Sequence, residues 1–350
     1  MNTSTRILYG LFPDPWLVQE EAFPRHEPAA KQLQFMLNYA ALAPSSHNTQ
    51  PWLFRVHDRT VELFADRTRA LPVADPDDRE LLISCGAALF HLRLAMRYFG
   101  YVDQLEMIHD STHSDLLARV TLGPAYEPTE QERRLFHTMP HRRTNRHAYE
   151  RKPVEPELLD ALREAAEQEG AHLEIIDDDT RRHQLADLVS QGDRHQGNDR
   201  HFRRELAAWI HHNRSLSQDG MPGYAFELSD WQSYVGPLIV RTFHWGEQRA
   251  ARDRELVEGS PVLAVLGTEA DDRDHLIAAG QGLARLLLYA SDKKLAASYL
   301  NQPLEVPDLR SRTVETLGLA RRPQIVLRLG YGPPTEATPR RPVDDVLLLN

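Results

Sequence analysis

The sequence predicts an α+β protein built from two copies of one unit, and three observations predict it. The first is an internal repeat. Setting Asp78-Arg79 on Asp272-Arg273 fixes an offset of 194 residues, and the same offset places Ile83 on Ile277, Gly86 on Gly280, Leu89 on Leu283, Leu92 on Leu286 and Leu94 on Leu288. The second is the order of patterns around that repeat. A short strand-like run precedes each long helical run, at 61–65 and 262–266, and a run closed by glycine follows it, at 118–123 and 326–330. The third is a joint near 127–141, where Pro124, Pro128 and Pro140 punctuate a polar helical stretch at 130–138. Amphipathic helices resemble one another by chance. Gap-free agreement at an Asp-Arg pair, a glycine and the flanking strands nevertheless favours duplication.

In chain order, residues 33–42 carry a helical apolar period that Pro44 ends. Residues 53–56 and 61–65 read as strands around the turn His57-Asp58-Arg59. Residues 75–78 supply capping carboxylates before a long helix at 81–99, which Gly100 ends. Strands are expected at 105–108 and 116–122. In the second copy, 158–168 is a helix ended by Gly170, 173–176 a strand, and 183–210 a polar helical stretch. Residues 211–248 have no close counterpart in the first copy. Their turn Asp219-Gly220-Met221-Pro222-Gly223 and the aromatics Tyr224, Phe226, Trp231, Tyr234, Phe243 and Trp245 read either as local core or as a cover over a site. The units are placed at 1–126 and 127–350, the second with an insert at about 183–248.

The chain has 350 residues, 41% hydrophobic and 26% charged, ordinary values for a soluble globular protein of one or two domains. A formal net charge of −10 argues against a broad nucleic-acid surface. The single cysteine, Cys85, excludes an internal disulfide and a cysteine metal cluster, and its apolar surroundings read as a buried, inert thiol. Residues 1–20 show neither a long apolar core nor a small-residue cleavage site, and no window approaches the roughly 20 apolar residues of a membrane span, so a cytoplasmic protein is expected.

Two polar stretches carry the chemistry. Ala43-Pro44-Ser45-Ser46-His47-Asn48-Thr49-Gln50-Pro51-Trp52 joins a helix to a strand and sets hydroxyls and amides between two prolines. It either presents donors at a fixed place or is a capping turn with its Trp in the core. Arg142-Arg143-Thr144-Asn145-Arg146 places three guanidinium groups within five residues, just before the first helix of its unit. Arginine forks and the free N–H groups of a helix start suit a phosphate; a solvated basic turn is the alternative.

The decapeptide matches all eight defined positions of A-P-S-S-x-N-x-Q-P-W and so resembles the nitroreductase family of FMN-dependent flavoproteins. The resemblance implies a nitroreductase-like α+β fold in which this loop, through Pro44, Ser45, Ser46 and Asn48, lies against FMN bound mainly by the other subunit of a dimer. Arg142, Thr144 and Arg146 are similar to the family's R-x-S-x-R, with Thr in place of Ser, which implies that the stretch 142–146, Arg143 and Asn145 included, holds the FMN phosphate and the pyrimidine edge. Arg146 would then face N1 and O2, where positive charge favours the anionic reduced flavin. Arg340 and Arg341 resemble the C-terminal basic motif that reaches the phosphate. Gln302-Pro303-Leu304-Glu305 resembles the segment that passes the flavin N5 and often reads P-x-E-G, with Val306 where glycine is usual. The first unit has Lys31-Gln32-Leu33 where R-x-S-x-R would stand, and the second lacks the P-S-S loop, so each carries half a site. The chain thus resembles the fused, two-lobed Acg-type branch of the family, with the R-T-N-R and L-N-Q-P-x-E segments. This implies a single-chain pseudo-dimer, one complete FMN site and a monomer.

Other signals are weaker. Gly280-Gln281-Gly282 is half a dinucleotide fingerprint, but Arg285 stands where a third glycine belongs and the stretch lies in a helix. His137 with His141 and His109 with His113 have a metal-compatible spacing but no H-E-x-x-H pattern, so surface histidines and no metal are expected. The resemblance implies an oxidoreductase in which NAD(P)H reduces FMN and a nitroaromatic or quinone-like acceptor takes the electrons in the same pocket, with no side chain named as catalytic. The alternative is FMN storage or sequestration, with residues 211–248 covering the ring.

Overall fold

The computed structural model describes residues 14–109 and 114–348. Helix α1 (Ala29–Ala40) leads into the hairpin β1 (Trp52–His57) and β2 (Thr60–Ala65), whose turn places Asp58 in the left-handed region at φ 48°. Helix α2 (Arg79–Tyr98), β3 (Tyr101–Met107) and β4 (Leu116–Ala125) follow. Helix α3 (Glu130–Thr138) starts with a reciprocal capping box between Thr129 and Glu132. Then come α4 (Pro156–Glu167), β5 (His172–Ile176), α5 (Asp179–Asn198), α6 (Arg200–Ala208), the two-residue strands β6 (Ile210–His211) and β7 (Met221–Pro222), α7 (Asp230–Thr242) and α8 (Gly246–Gly259). The chain continues through β8 (Val262–Thr268), α9 (Arg273–Asp292), β9 (Ala296–Tyr299), α10 (Pro307–Leu317), β10 (Arg322–Gly330) and the short α11 (Val343–Val346).

Two antiparallel four-stranded sheets result, ordered β1-β2-β4-β3 and β5-β8-β10-β9. Counted in chain order, both run first, second, fourth, third. The expected strands form, with β3 starting at Tyr101 instead of 105. The expected polar helix at 183–210 is two helices, because Asp199 leaves helical geometry (ψ 117°) and caps α6 by accepting from the His201 N–H. The strand-closing role expected of Gly123 is not seen: β4 continues to Ala125.

Helices α2 and α9 carry the repeat, and they cross at its glycines. A Cβ on Gly86 would collide with the Ile277 carbonyl oxygen, and a Cβ on Gly280 with the Ile83 carbonyl oxygen. The offset of 194 residues maps each contact onto the other, so the crossing is reciprocal, as in an isologous two-fold interface.

The sheets are covered differently. On β1, Trp52, Phe54 and Val56 face a core formed with α1 and α2, while Arg55, Glu62 and Arg119 form an ion-paired outer face. The second sheet is buried on both sides. Ala264, Leu266 and Leu327 pack toward α4 and α9, and Leu263, Val265 and Val326 toward α5 and α8. The chain's last described residues return to the first sheet, where the Leu348 N–H donates to the Phe54 carbonyl (2.7 Å). Cys85 is buried, its thiol donating to the Pro51 carbonyl and pushed up by burial. No helix of the described residues is long and apolar enough to cross a membrane, and no group of three metal-binding side chains forms among them. His113, of the His109–His113 pair, lies outside the described residues.

Candidate functional site

The loop after α1 is strained and heavily tied. His47, Asn48 and Gln50 all take positive φ (50°, 56° and 52°), a conformation that costs a non-glycine residue about 1–2 kcal/mol. Side chains hold it there. The Asn48 amide donates to the carbonyls of Gly220 (2.9 Å) and Pro339 (3.0 Å) and accepts from the Arg340 guanidinium (2.8 Å). Gln50 donates to the Gln218 carbonyl (2.9 Å) and accepts the Arg341 N–H (2.8 Å). The Ser45 hydroxyl accepts the Gln50 N–H (2.9 Å), and the Ser46 hydroxyl donates to Glu80 at the start of α2. Trp52 anchors in the core with no exposure.

The stretch Arg142–Arg146 corrects one expectation. It does not precede a helix start, because α4 begins only at Pro156. It runs extended beside β9, with Thr144 bridged to Ala297 and the Asn145 N–H donating to the Ala297 carbonyl (2.9 Å). Positive potential here therefore comes from side chains and not from a helix dipole.

Those side chains are under-compensated. Arg142 is 3% exposed and Arg340 4% exposed; the Nε of each lacks a partner, and neither pairs with a carboxylate among the described residues. Burial lowers the pKa of both, and the charges of Arg142 and Arg143 lower that of Arg340 further. A buried guanidinium without a counter-ion is costly, and a bound anion offsets that cost. Arg146 lies over the Phe226 ring (5.1 Å), and burial, with the charges of Arg249 and Arg328, pushes it down to about 10.

These groups line one cavity, whose space of about 1160 Å³ includes the part open to solvent. It brings together Pro44, Ser45, Ser46, Asn48, Arg142, Thr144, Arg146, Gln302, Glu305 and Arg340 from the expected set. Five expected residues do other work. Arg143 stacks over Trp16 (4.2 Å). Asn145 clamps the Pro333 carbonyl (2.7 Å). Arg341 holds the Gln50 carbonyl (3.2 Å) and sits beside Asp66. Pro303 is buried beside Leu304, and Leu304 packs into the α5–α8 layer. None of the five lines the cavity.

Sequence reasoning missed several wall residues. Glu80 accepts from Ser46, Arg79 (3.0 Å) and Asn301 (3.1 Å), and so ties α2 to both loops. The only signal in the sequence is a carboxylate directly after the repeated Asp78-Arg79 pair. Tyr299, hydrogen-bonded to Thr144, lines the cavity within the field of Arg142 and Arg146. Gln196, also missed, donates to the expected Glu305, whose carboxyl burial, with Glu80 nearby, pushes up to about 8; the expected Gln302 has buried partners too. Gln302 donates to Asp193 (3.1 Å) and Asp253 (2.7 Å); Asp193 is wholly buried and pushed up to about 7 by burial.

The insert contributes to the cover only in part. Met221 and Phe226 line the cavity, with Phe202 and Leu206 from α6. Trp231, Tyr234 and Phe243 are 74%, 56% and 61% exposed and lie on the outside.

A family model described as the nitroreductase family matches residues 140–332. A Mycobacterium tuberculosis protein named "Putative NAD(P)H nitroreductase Rv3131" is 31% identical over 331 residues, covering 93% of this chain and 94% of the relative. Another from that organism, named "Putative NAD(P)H nitroreductase acg", is 29% identical over 316 residues, covering 88% and 92%. The solved structure of FMN and NADPH-dependent nitroreductase NfnB from sphigopyxis sp. strain HMH aligns at 17% identity and TM-score 0.42, over 62% of this chain and 98% of that one. The sequence matches extend over nearly the whole chain, and the chain belongs to the nitroreductase family.

Proposed function

We propose that the protein is an FMN-binding oxidoreductase of the nitroreductase type, which uses NAD(P)H to reduce a nitroaromatic or quinone-like acceptor. The observation that carries this reading is the convergence on one cavity of two buried guanidinium groups without carboxylate partners, Arg142 and Arg340. Their unpaired Nε atoms fit a phosphate. In this reading Arg142, Thr144 and Arg340 hold the FMN phosphate, and Arg146 sets positive charge at the pyrimidine edge. Bound FMN supplies the two-electron chemistry between nicotinamide and acceptor. The chain's own groups bind, orient and shield. Glu80 and Ser46 fix the loop, Met221 and Phe226 narrow access for water, and Glu305 holds a proton at a carboxyl oxygen beside the cavity at neutral pH.

We also infer that the two sheets are a fused pair of like units, at 1–126 and 127–350. The shared strand order and the reciprocal glycine crossing support it. The cavity takes walls from both units, so no second subunit is needed and a monomer suffices.

A second reading, FMN sequestration, rests on one observation: the insert is bolted to the strained loop through Asn48–Gly220 and Gln50–Gln218 and lines the cavity. An anaerobic absorbance trace with NADPH, then NADH, separates the two. Bleaching of a flavin band within seconds is the expected result, a band that persists with both donors favours a covered flavin, and no band after soaking with FMN overturns both.

A further inference from the structure

A second cavity lies beside the first, behind Arg146, Phe226, Arg249 and Tyr299, which line both. Arg252, Asp253, Trp245 and Arg328 complete the walls that matter here. Four guanidinium groups and one carboxylate thus face one space. Two of the four are compensated: Arg249 pairs with Asp193 (3.1 Å) and Asp253 (3.3 Å), and Arg252 with Glu227 (2.5 Å). Arg146 and Arg328 pair with no carboxylate among the described residues.

Arg328 is the key group. It stands on β10, 1% exposed, with its guanidinium 4.1 Å from the centre of the Tyr149 ring. Only Nη2 is bonded, to the carbonyls of Asn145 (3.3 Å) and His147 (3.0 Å); Nε and Nη1 have no partner. A strand inside a sheet offers cheap apolar alternatives at such a position, so a buried cation with two idle nitrogens needs a reason. Burial is the main cause that depresses both Arg328 and Arg146; the neighbouring guanidinium groups, Arg252 for the first and Arg249 and Arg328 for the second, add to it, and Asp253 offsets part of it.

We propose that this second cavity is an anion site, separate from the Arg142–Arg340 end of the first, and that it takes a phosphate or pyrophosphate group. Several guanidinium groups around one space suit the multiple oxygens of a phosphate better than a single carboxylate. Trp245 and Phe226 give the site flat apolar walls, and Arg146, Phe226, Arg249 and Tyr299 are walls of the first cavity as well. The site therefore accepts either free phosphate or the phosphates of a dinucleotide whose other end enters the first cavity. The proposal does not depend on flavin binding.

The test is a titration of inorganic pyrophosphate into the full-length protein with FMN saturating, followed by tryptophan fluorescence and calorimetry at two salt concentrations. One binding event is expected, weaker at higher salt. Arg328→Gln and, separately, Arg252→Gln should each weaken it at least tenfold, and Arg142→Ala should leave it unchanged. Arg252 is half exposed, so its variant keeps the test sharp if Arg328→Gln fails to fold. Displacement of pyrophosphate by NADPH would support a dinucleotide as the source of the phosphate, and lack of displacement would support a free phosphate ligand. The absence of pyrophosphate binding, or binding lost in Arg142→Ala and intact in the other two variants, would overturn the proposal.

Discussion

Two polar loops line the same cavity, and they use their side chains differently. In the loop 43–52, Ser45, Asn48 and Gln50 direct their polar atoms to the protein itself: to Gly220, Gln218, Pro339, Arg340 and the loop's own backbone. In Arg142, and in Arg340 beside it, the buried Nε is left without a partner, although the Nη atoms of Arg340 are bonded to Asn48, Thr338, Pro339 and Leu42. Both loops matched a family motif. The hydrogen-bond tally separates them: the first is mainly scaffold and the second is ready for an anion. A matched motif position is thus no guarantee that its side chain touches a ligand.

The largest expected difference is in flavin binding. Arg142→Ala should weaken FMN by about 1.5–3 kcal/mol, the range for a hydrogen bond to a charged group, while leaving the apo fold at least as stable. A drop in apo stability with unchanged FMN affinity would move Arg142 to the scaffold side. Asn48→Ala should do the opposite. It leaves the Gly220 and Pro339 carbonyls without their amide donor and should cost about 1–3 kcal/mol of stability in denaturant melts of the apo protein. A variant as stable as the parent would show that the loop is not held by these bonds.

Gly280→Ala tests the frame that brings the loops together. Its Cβ would meet the Ile83 backbone, and overpacking of this kind costs about 1–3 kcal/mol. Thermal melts should show the loss, and Gly86→Ala should show a like one if the crossing is reciprocal.

The smallest effect is in pH. Glu305 is raised to about 8 in the folded chain, against ~4.3 for an unfolded glutamate. The folded state therefore holds a proton that the unfolded state releases, and stability from this group is full below about pH 4 and falls as pH rises toward 8. Asp193, raised to about 7, acts in the same direction. Glu305→Gln should flatten the decline in melting temperature between pH 5 and 8, and an unchanged profile would contradict the raised carboxyl.

Much of this was legible in the chain. The repeat at Asp78-Arg79 and Asp272-Arg273 anticipated two sheets of like order, because strand and helix periods survive in each half. The cavity was legible as far as short motifs reach: Ser46, Arg142, Thr144 and Arg340 do converge. What the chain hid was set by contacts far apart in sequence. Asn145 and Arg341 look like ligands in a basic run, and only the fold shows them clamping Pro333 and Gln50. Glu80 and Tyr299 reach the cavity because the start of α2 and the end of β9 both line it, and no local pattern marks that. The dense aromatics at 224–245 were ambiguous for a similar reason: Phe226 turns inward, while Trp231, Tyr234 and Phe243 turn out.

The contrast between the two loops is tested most directly by comparing FMN with riboflavin, which lacks the phosphate, in the parent protein and in Arg142→Ala. The parent should bind FMN at least tenfold more tightly than riboflavin, and the variant should lose most of that preference by weakening FMN alone. Equal affinity for FMN and riboflavin in the parent, or an undiminished preference in Arg142→Ala, would contradict a phosphate held by the unpaired arginines.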